Sequence, residues 1–472
     1  MSSNDHLVYP EPSVSKIRNL LVLVLSACLL CGSIVAAQQD AVSLTFVAWG
    51  NAEEDAVMQV LVDQFNAENA DIQIEYTLLA DYHTELNAAL EAGNPPDIAL
   101  IPDWDFWNLA SKGLLANLQP LVDQSGYDTA AVWPSALDRF RMDLSTFALG
   151  TGDLYALPKD IGPMMLYINE DLFEAAGVPL PDPVQPMTWD TLVATATQLT
   201  LDSSGRTPSD AGFEPDEIVQ VGLADVRWEI AVYGNGGRIV SNDGRTFVGA
   251  TDPNTLQALQ WLSDLRHVHH VTPLVFESDE VTPSQMFAEG DAAMITDGRW
   301  QVPNFRANLP FEWSIRPNPV GPSGMLTTYG DATDCRASGW SSSTGIGVIA
   351  GSDGETHLPE AFRFIAFLTG PEAQAAQAEL DFALSNQIAH TTDDSGAAAA
   401  NSAAVREAAR CAVPPPWTLT PYYGTWFDPL FWDGVWPDVV LDNALTASEA
   451  FTARADAFQQ GLDEAWAELA AG

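Results

Sequence analysis

Residues 44–76 read LTFVAWGNAEEDAVMQVLVDQFNAENADIQIEY, and their periodicity changes twice. Leu44–Ala48 is a short apolar run. Asn51 and Glu54 then stand at capping-box spacing, where each side chain can satisfy a backbone N–H of the other. Val57, Leu61 and Phe65, with Val60 between them, recur at helical spacing, and Ile72, Ile74 and Tyr76 alternate as a strand does. A strand, a helix and a strand this close together predict a β-α-β unit with parallel strands.

The same alternation continues. Asp81 opens a second helix carrying Tyr82, Leu86 and Leu90. Residues 95–115, PPDIALIPDWDFWNLASKGLL, then hold a buried strand, Asp97–Ile101, and a helix, Asp103–Lys112. The order β-α-β-α-β argues for an α/β lobe with a mainly parallel sheet. Asp103, Trp104 and Asp105 fall where strand hands over to helix. They suit a catalytic acid pair, a ligand rim, or a helix cap (Asp103) backed by core rings; Trp107 reads as packing.

Composition narrows the function. The chain has 472 residues, room for two or three lobes. It carries 64 Asp+Glu against 19 Lys+Arg, a formal charge of -45, which repels nucleic acid and anionic membrane surfaces. Lys16 and Arg18 precede the apolar stretch LLVLVLSACLLCGSIVAA, Leu20–Ala37, which reads as an export signal. Cleavage after Val35-Ala36-Ala37, lipidation of Cys28 in a lipobox-like Leu25-Ser26-Ala27-Cys28, or retention of the stretch, at about 18 residues just long enough to span a bilayer, would each place the remainder outside the cytoplasm. In an oxidising compartment Cys335 and Cys411 are expected to pair. His267, His269 and His270 sit at a helix end, where a basic group is favourable without any metal. No cofactor motif is present.

Residues from about Asp160 to Arg299 read as a second lobe with helices over Asp190–Leu199, Thr255–Val268 and Pro283–Glu289. A strand returns at Ile346–Ala350 and a helix at Pro359–Thr369. Thr391–Ala404 reads as a surface loop or loose helix. Between Trp417 and Trp436 eight aromatic residues crowd among Pro and Gly, too irregularly for one helix face. They suit a satellite core or a platform of rings beside a cleft.

These pieces, in this order, resemble the extracellular solute-binding proteins of ABC importers, the group that includes maltose-binding protein. The resemblance is carried by residues 44–76, AGNPPDIAL, ASKGLLANLQPL, LYALPKDIGPMMLYINEDLFEAAGVP with MTWDTL, FAEGDAAMITDGRW and AFRFIAFLTGPEAQ. It implies an α/β, two-lobed fold with a ligand cleft between lobes joined by a hinge. Residues 38–158 plus about 338–388 would form one lobe, and about 159–337 plus 389–472 the other. The implied function is extracellular capture of a sugar or oligosaccharide and delivery to transporter permease subunits, without catalysis.

Carried over by motif, the implied ligand contacts are Trp49 and Asn51 in the first turn and Asp103, Trp104 and Asp105 past the third strand. Asp160 and, before the Gly-Gly turn, Asp225 and Trp228 follow. Tyr82, Asp297, Trp300, Trp426 and Trp432 complete the set. In Asp297-Gly298-Arg299-Trp300 the family's N-G-P-W pattern is altered at its first and third positions. Rings can cover the C–H faces of a sugar while carboxylates and amides accept its hydroxyls. Two rivals remain. A polyamine would also suit an acidic, aromatic cleft. A glycoside hydrolase would need two carboxylates about 5–10 Å apart across the scissile bond.

Overall fold

The computed structural model describes residues 41–273, 282–325, 335, 339–378, 384–391 and 398–471. The export segment and Cys28 lie outside the described residues, as does part of Thr391–Ala404, whose end belongs to the helix Ala398–Arg410.

The first sheet follows the opening pattern. Strand β1, Val42–Ala48, buries Leu44, Phe46 and Ala48 and exposes Ser43 and Thr45. Helix α1, Ala52–Glu68, starts at the expected capping box: Glu54 N–H donates to Asn51 Oδ1 at 2.9 Å, and Asn51 N–H to Glu54 Oε2 at 3.1 Å. Its buried stripe is Met58, Leu61, Val62 and Phe65, whereas Val60 is 63% exposed. Val60 lies outside the arc that the stripe subtends at 3.6 residues per turn. Strand β2, Ile72–Leu78, pairs parallel with β1. Helix α2, Tyr82–Glu91, is capped by Asp81, and β3, Ile98–Pro102, pairs parallel on the other side of β1.

Two later segments complete this sheet. Leu157–Pro158 forms β4, and Thr344–Val348, here β5, lies antiparallel to both β3 and β4, giving the order β2-β1-β3-β5-β4. Phe364 of the helix Leu358–Leu368 packs edge-on against Phe46 and Phe65.

A second five-stranded sheet centres on Asp160–Asn169, buried at every position. Met294–Gly298 and Trp313–Arg316 pair with it antiparallel, and Ser341–Ser342 and Leu384–Ser385 pair near its start. A central strand covered on both faces shows no apolar-polar alternation, so its sequence does not announce a strand.

The two sheets exchange chain at single residues. Lys159 separates β4 of the first sheet from the long strand of the second, and Ser343 separates Ser341–Ser342 from β5. A buried polar network ties these crossings to the third helix, α3, Asp103–Ser111. Arg139 donates through Nη1 to Asp103 Oδ2 at 2.6 Å and through Nη2 to Ser341 Oγ at 3.0 Å. Ser343 N–H donates to the same Asp103 oxygen at 3.1 Å. Asp160 accepts from Thr344 N–H at 2.9 Å and holds Lys159 Nζ at 2.9 Å.

This corrects the reading of Asp103 as a helix cap. The cap position is Pro102, which offers no side-chain bond, and Asp103 turns inward to Arg139. Both side chains of that ion pair are fully buried. Breaking such a pair strands a charge away from water and costs about 3–5 kcal/mol. Asp103→Asn is therefore expected to lower unfolding free energy by about that much, measured by denaturant titration at constant m-value. A loss under 1 kcal/mol would show that the network carries no such weight.

Cys335 and Cys411 form a disulfide with Cα atoms 5.8 Å apart and 76 residues of separation. A link over that span removes freedom from the unfolded chain worth about 2–4 kcal/mol. Replacing both cysteines by serine should lower stability by that amount in the same titration. Among the described residues no helix is long and apolar enough to cross a membrane.

Candidate functional site

A cavity of about 500 Å³ opens between α3, the segment Arg227–Glu229, Trp340 and the chain from Trp417 to Trp432. Each wall has a local reason. Helix α3 leaves Trp104 48% exposed at the mouth and buries Trp107, whose Nε1 donates to Thr418 O at 2.8 Å. That bond and edge contact with Trp466 pin the C-terminal segment to α3. On the opposite side, Trp228 begins the helix Trp228–Gly234 and is 3% exposed, packed on Phe427 and Phe431.

The C-terminal wall is irregular, as its prolines and glycines foretold. Short helical pieces, Tyr423–Trp426 and Asp428–Leu430, run into two π-type turns, Phe431–Val435 and Pro437–Leu441. Tyr422 holds a left-handed conformation, φ +48°, uncommon for a bulky residue, and its ring lies under Lys112 Nζ at 5.2 Å. The strain is borne at the cavity wall, where rings must be aimed rather than merely buried. Contacts between rings run unbroken from Trp300 through Trp340, Trp417, Tyr423, Phe427 and Phe431 to Trp432.

Polar atoms in these walls lack partners. Asn108 Oδ1, Glu229 Oε2, Trp340 Nε1, Trp417 Nε1 and Tyr423 Oη are buried and make no hydrogen bond to any described residue. All five residues line the cavity. Leaving a buried donor or acceptor unmade costs on the order of 1–3 kcal/mol, so five around one space mark a surface built for something else to complete. Burial pushes the Glu229 carboxyl up to about 7, against the pull of Arg227. Burial likewise raises Asp225 to about 6 and Asp428 above its usual range.

Of the residues named from sequence, the structure brings Trp104, Trp228 and Trp432 into this cavity. Trp49 stacks edge-on against Tyr82 and reaches Trp104, supporting that ring from behind, while the Tyr82 hydroxyl donates to Leu100 O. Trp300 lies against Gly162 and Trp340. Trp426 is buried beside Gly461. Asn51 caps α1, and Asp105 accepts from Asn108.

Asp103, Asp160 and Asp297 direct carboxylate oxygens inward. Asp297 accepts from Ser284 Oγ at 2.6 Å, Gln301 Nε2 at 3.0 Å and Gly298 N–H at 2.7 Å. Asp225 accepts Thr296 N–H through its main chain. Sequence reading did not single out Asn108, Arg227, Glu229, Trp340 or Asp428 as ligand contacts. Glu229 had one signal, its place beside Trp228. Asn108, Arg227 and Asp428 are unremarkable polar residues until the chain folds.

A family model described as bacterial extracellular solute-binding protein matches residues 60–403. The chain is 25% identical over 346 residues to the sn-glycerol-3-phosphate-binding periplasmic protein UgpB of Shigella dysenteriae, covering 70% of this chain and 72% of that protein. An ABC substrate-binding protein from Listeria monocytogenes, solved in complex with cycloalternan, superposes with a TM-score of 0.69 at 22% identity, over 89% of this chain and 99% of that one. The cyclic α-maltosyl-1,6-maltose binding protein of Arthrobacter globiformis does so with a TM-score of 0.69 at 19% identity, over 90% and 100%. The chain belongs to the bacterial extracellular solute-binding protein family and has its two-lobed, periplasmic-binding-protein-like fold.

Proposed function

We propose that this protein captures a carbohydrate, a sugar or oligosaccharide, outside the cytoplasm and delivers it to the permease subunits of an ABC importer. The observation that carries this reading is the ring-lined cavity whose walls hold five unpaired polar atoms. A sugar answers both features at once, because its C–H faces cover rings and its hydroxyls supply donors and acceptors in the same small volume. The relatives solved with cycloalternan and named for cyclic maltosyl-maltose point the same way. An anion such as glycerol phosphate fits less well, since Arg227 is the single basic side chain among the lining residues.

In this reading Trp104, Trp228, Trp340, Trp417 and Trp432 cover the ligand while Asn108, Glu229 and Tyr423 bond its hydroxyls. Trp49, Tyr82 and Trp300 brace the rings from outside. The lobes exchange chain at Lys159 and near Ser343, and closure about these crossings would bring both lobes onto the ligand. The protein binds without catalysis, so an oligosaccharide incubated with it should be recovered intact. Export would end in cleavage after Ala37 or in lipidation of Cys28, and the mass of the exported chain separates the two.

Carbohydrate at 100 times its Kd should stabilise the mature protein by about 2.7 kcal/mol, read as a rise in melting temperature. A flat response to every sugar in a mono- and oligosaccharide panel would overturn the reading. Trp104→Ala and Trp432→Ala, both at exposed rings, should each weaken binding about tenfold, on the order of 1.4 kcal/mol, with little change in melting of the free protein.

A further inference from the structure

The carboxyl groups in the cavity wall are not those of an ordinary polar rim. Glu229 is 6% exposed, its Oε2 makes no hydrogen bond, and it forms no ion pair among the described residues. Asp428, half-buried on the facing C-terminal segment, accepts from the Trp432 side chain and likewise has no ion pair there. The charged and titratable groups around Glu229 are Arg227 and Asp225 on its own segment and Asp428 and Tyr423 across the cavity, with Tyr233 one turn further along its helix. Arg227 is exposed and does not reach ion-pair distance of either acid. The walls therefore hold two carboxyl groups and one outlying guanidinium, inside a cage of Trp228, Trp417, Tyr423 and Trp432.

We propose that the natural ligand is an aminated sugar, whose ammonium group is held by Glu229 and Asp428 within the ring cage. This rests on the carbohydrate reading and narrows it. A neutral sugar can bond the carboxyl group through a hydroxyl, yet it gives the ionised acid no countercharge. An ammonium supplies the missing countercharge and up to three donors, and the faces of Trp and Tyr attract it as well. The sugar part then meets the remaining rings and the unpaired Asn108, Trp340 and Trp417 atoms.

The sign of the pH dependence separates this from a neutral ligand. Burial holds Glu229 protonated up to about 7 in the free protein. A cation prefers the ionised acid, so its binding releases a proton and strengthens as pH rises through that value. Between pH 6 and 8 the ionised fraction of such a group rises about tenfold. A ligand that accepts a hydrogen bond from the protonated acid would instead weaken over the same range.

The test is isothermal titration of the mature protein at pH 6 and pH 8. The probes are a neutral maltose-type trisaccharide, its mono-6-amino-6-deoxy regioisomers and spermidine. A primary alkylamine stays charged across this range. We expect at least one aminated regioisomer to bind tenfold or more tighter than the neutral sugar at pH 8, with an affinity that falls about tenfold at pH 6. In Glu229→Gln, which keeps the side-chain shape, the ratio of aminated to neutral affinity should fall toward one. Asp428→Asn should lower it in the same direction, and melting curves confirm that both variants are folded. Neutral sugar binding as tightly as every aminated form would overturn this inference and leave the carbohydrate reading standing. So would aminated-sugar affinity that drops between pH 6 and 8. Spermidine binding without sugar binding, or no binding by any probe, would overturn both.

Discussion

The contact on which the rest of this structure hangs is the buried pair between Arg139 and Asp103. It stands where the third strand of the first sheet ends, and it holds Ser341 and Ser343, between which the chain passes from one sheet to the other. One residue away, Asp160 and Lys159 hold the opposite crossing. Taking these charges out of water is costly, and a hydrophobic cluster of the same volume would serve stability as well or better. Ion pairs fix direction where apolar contacts do not. The crossings are single residues, so any slack there would be magnified across both sheets.

That anchoring explains how an irregular segment can form a binding wall. The C-terminal rings have no regular helix or strand to set their angles, and instead take position from one another and from Trp107, which is rooted in α3. Helix α3 in turn begins at Asp103. The acid pinned inward and the tryptophan left at the cavity mouth are consecutive residues, so structural and binding roles divide within a single turn of helix.

The start of the first sheet was legible because β1, β2 and α1 each keep one face wet: alternation in β1 and β2, a helical stripe in α1 and two side-chain caps appear directly in the residue order, while β3, buried throughout, shows only as a short apolar run. The second sheet was not, since its central strand is covered on both faces and carries no period. Val60 was misplaced for a related reason, because several apolar positions within one turn satisfy the same spacing and only packing selects among them.

At the site, residue type indicated a surface of rings and acids but could not say which acids stay wet. Asp103, Asp160 and Asp297 have the same carboxylate as Asp428, yet their partners, Arg139, Thr344 and Ser284, arrive from elsewhere in the chain. The sequence by itself determined a strongly acidic composition, the parallel β-α-β-α-β run that begins the first sheet and the concentration of aromatics near the C-terminus, since each follows from local composition or period. Only the tertiary structure decided which polar groups find partners and which remain empty-handed around the cavity, because a hydrogen bond is short and directional and its geometry exists only after distant segments meet.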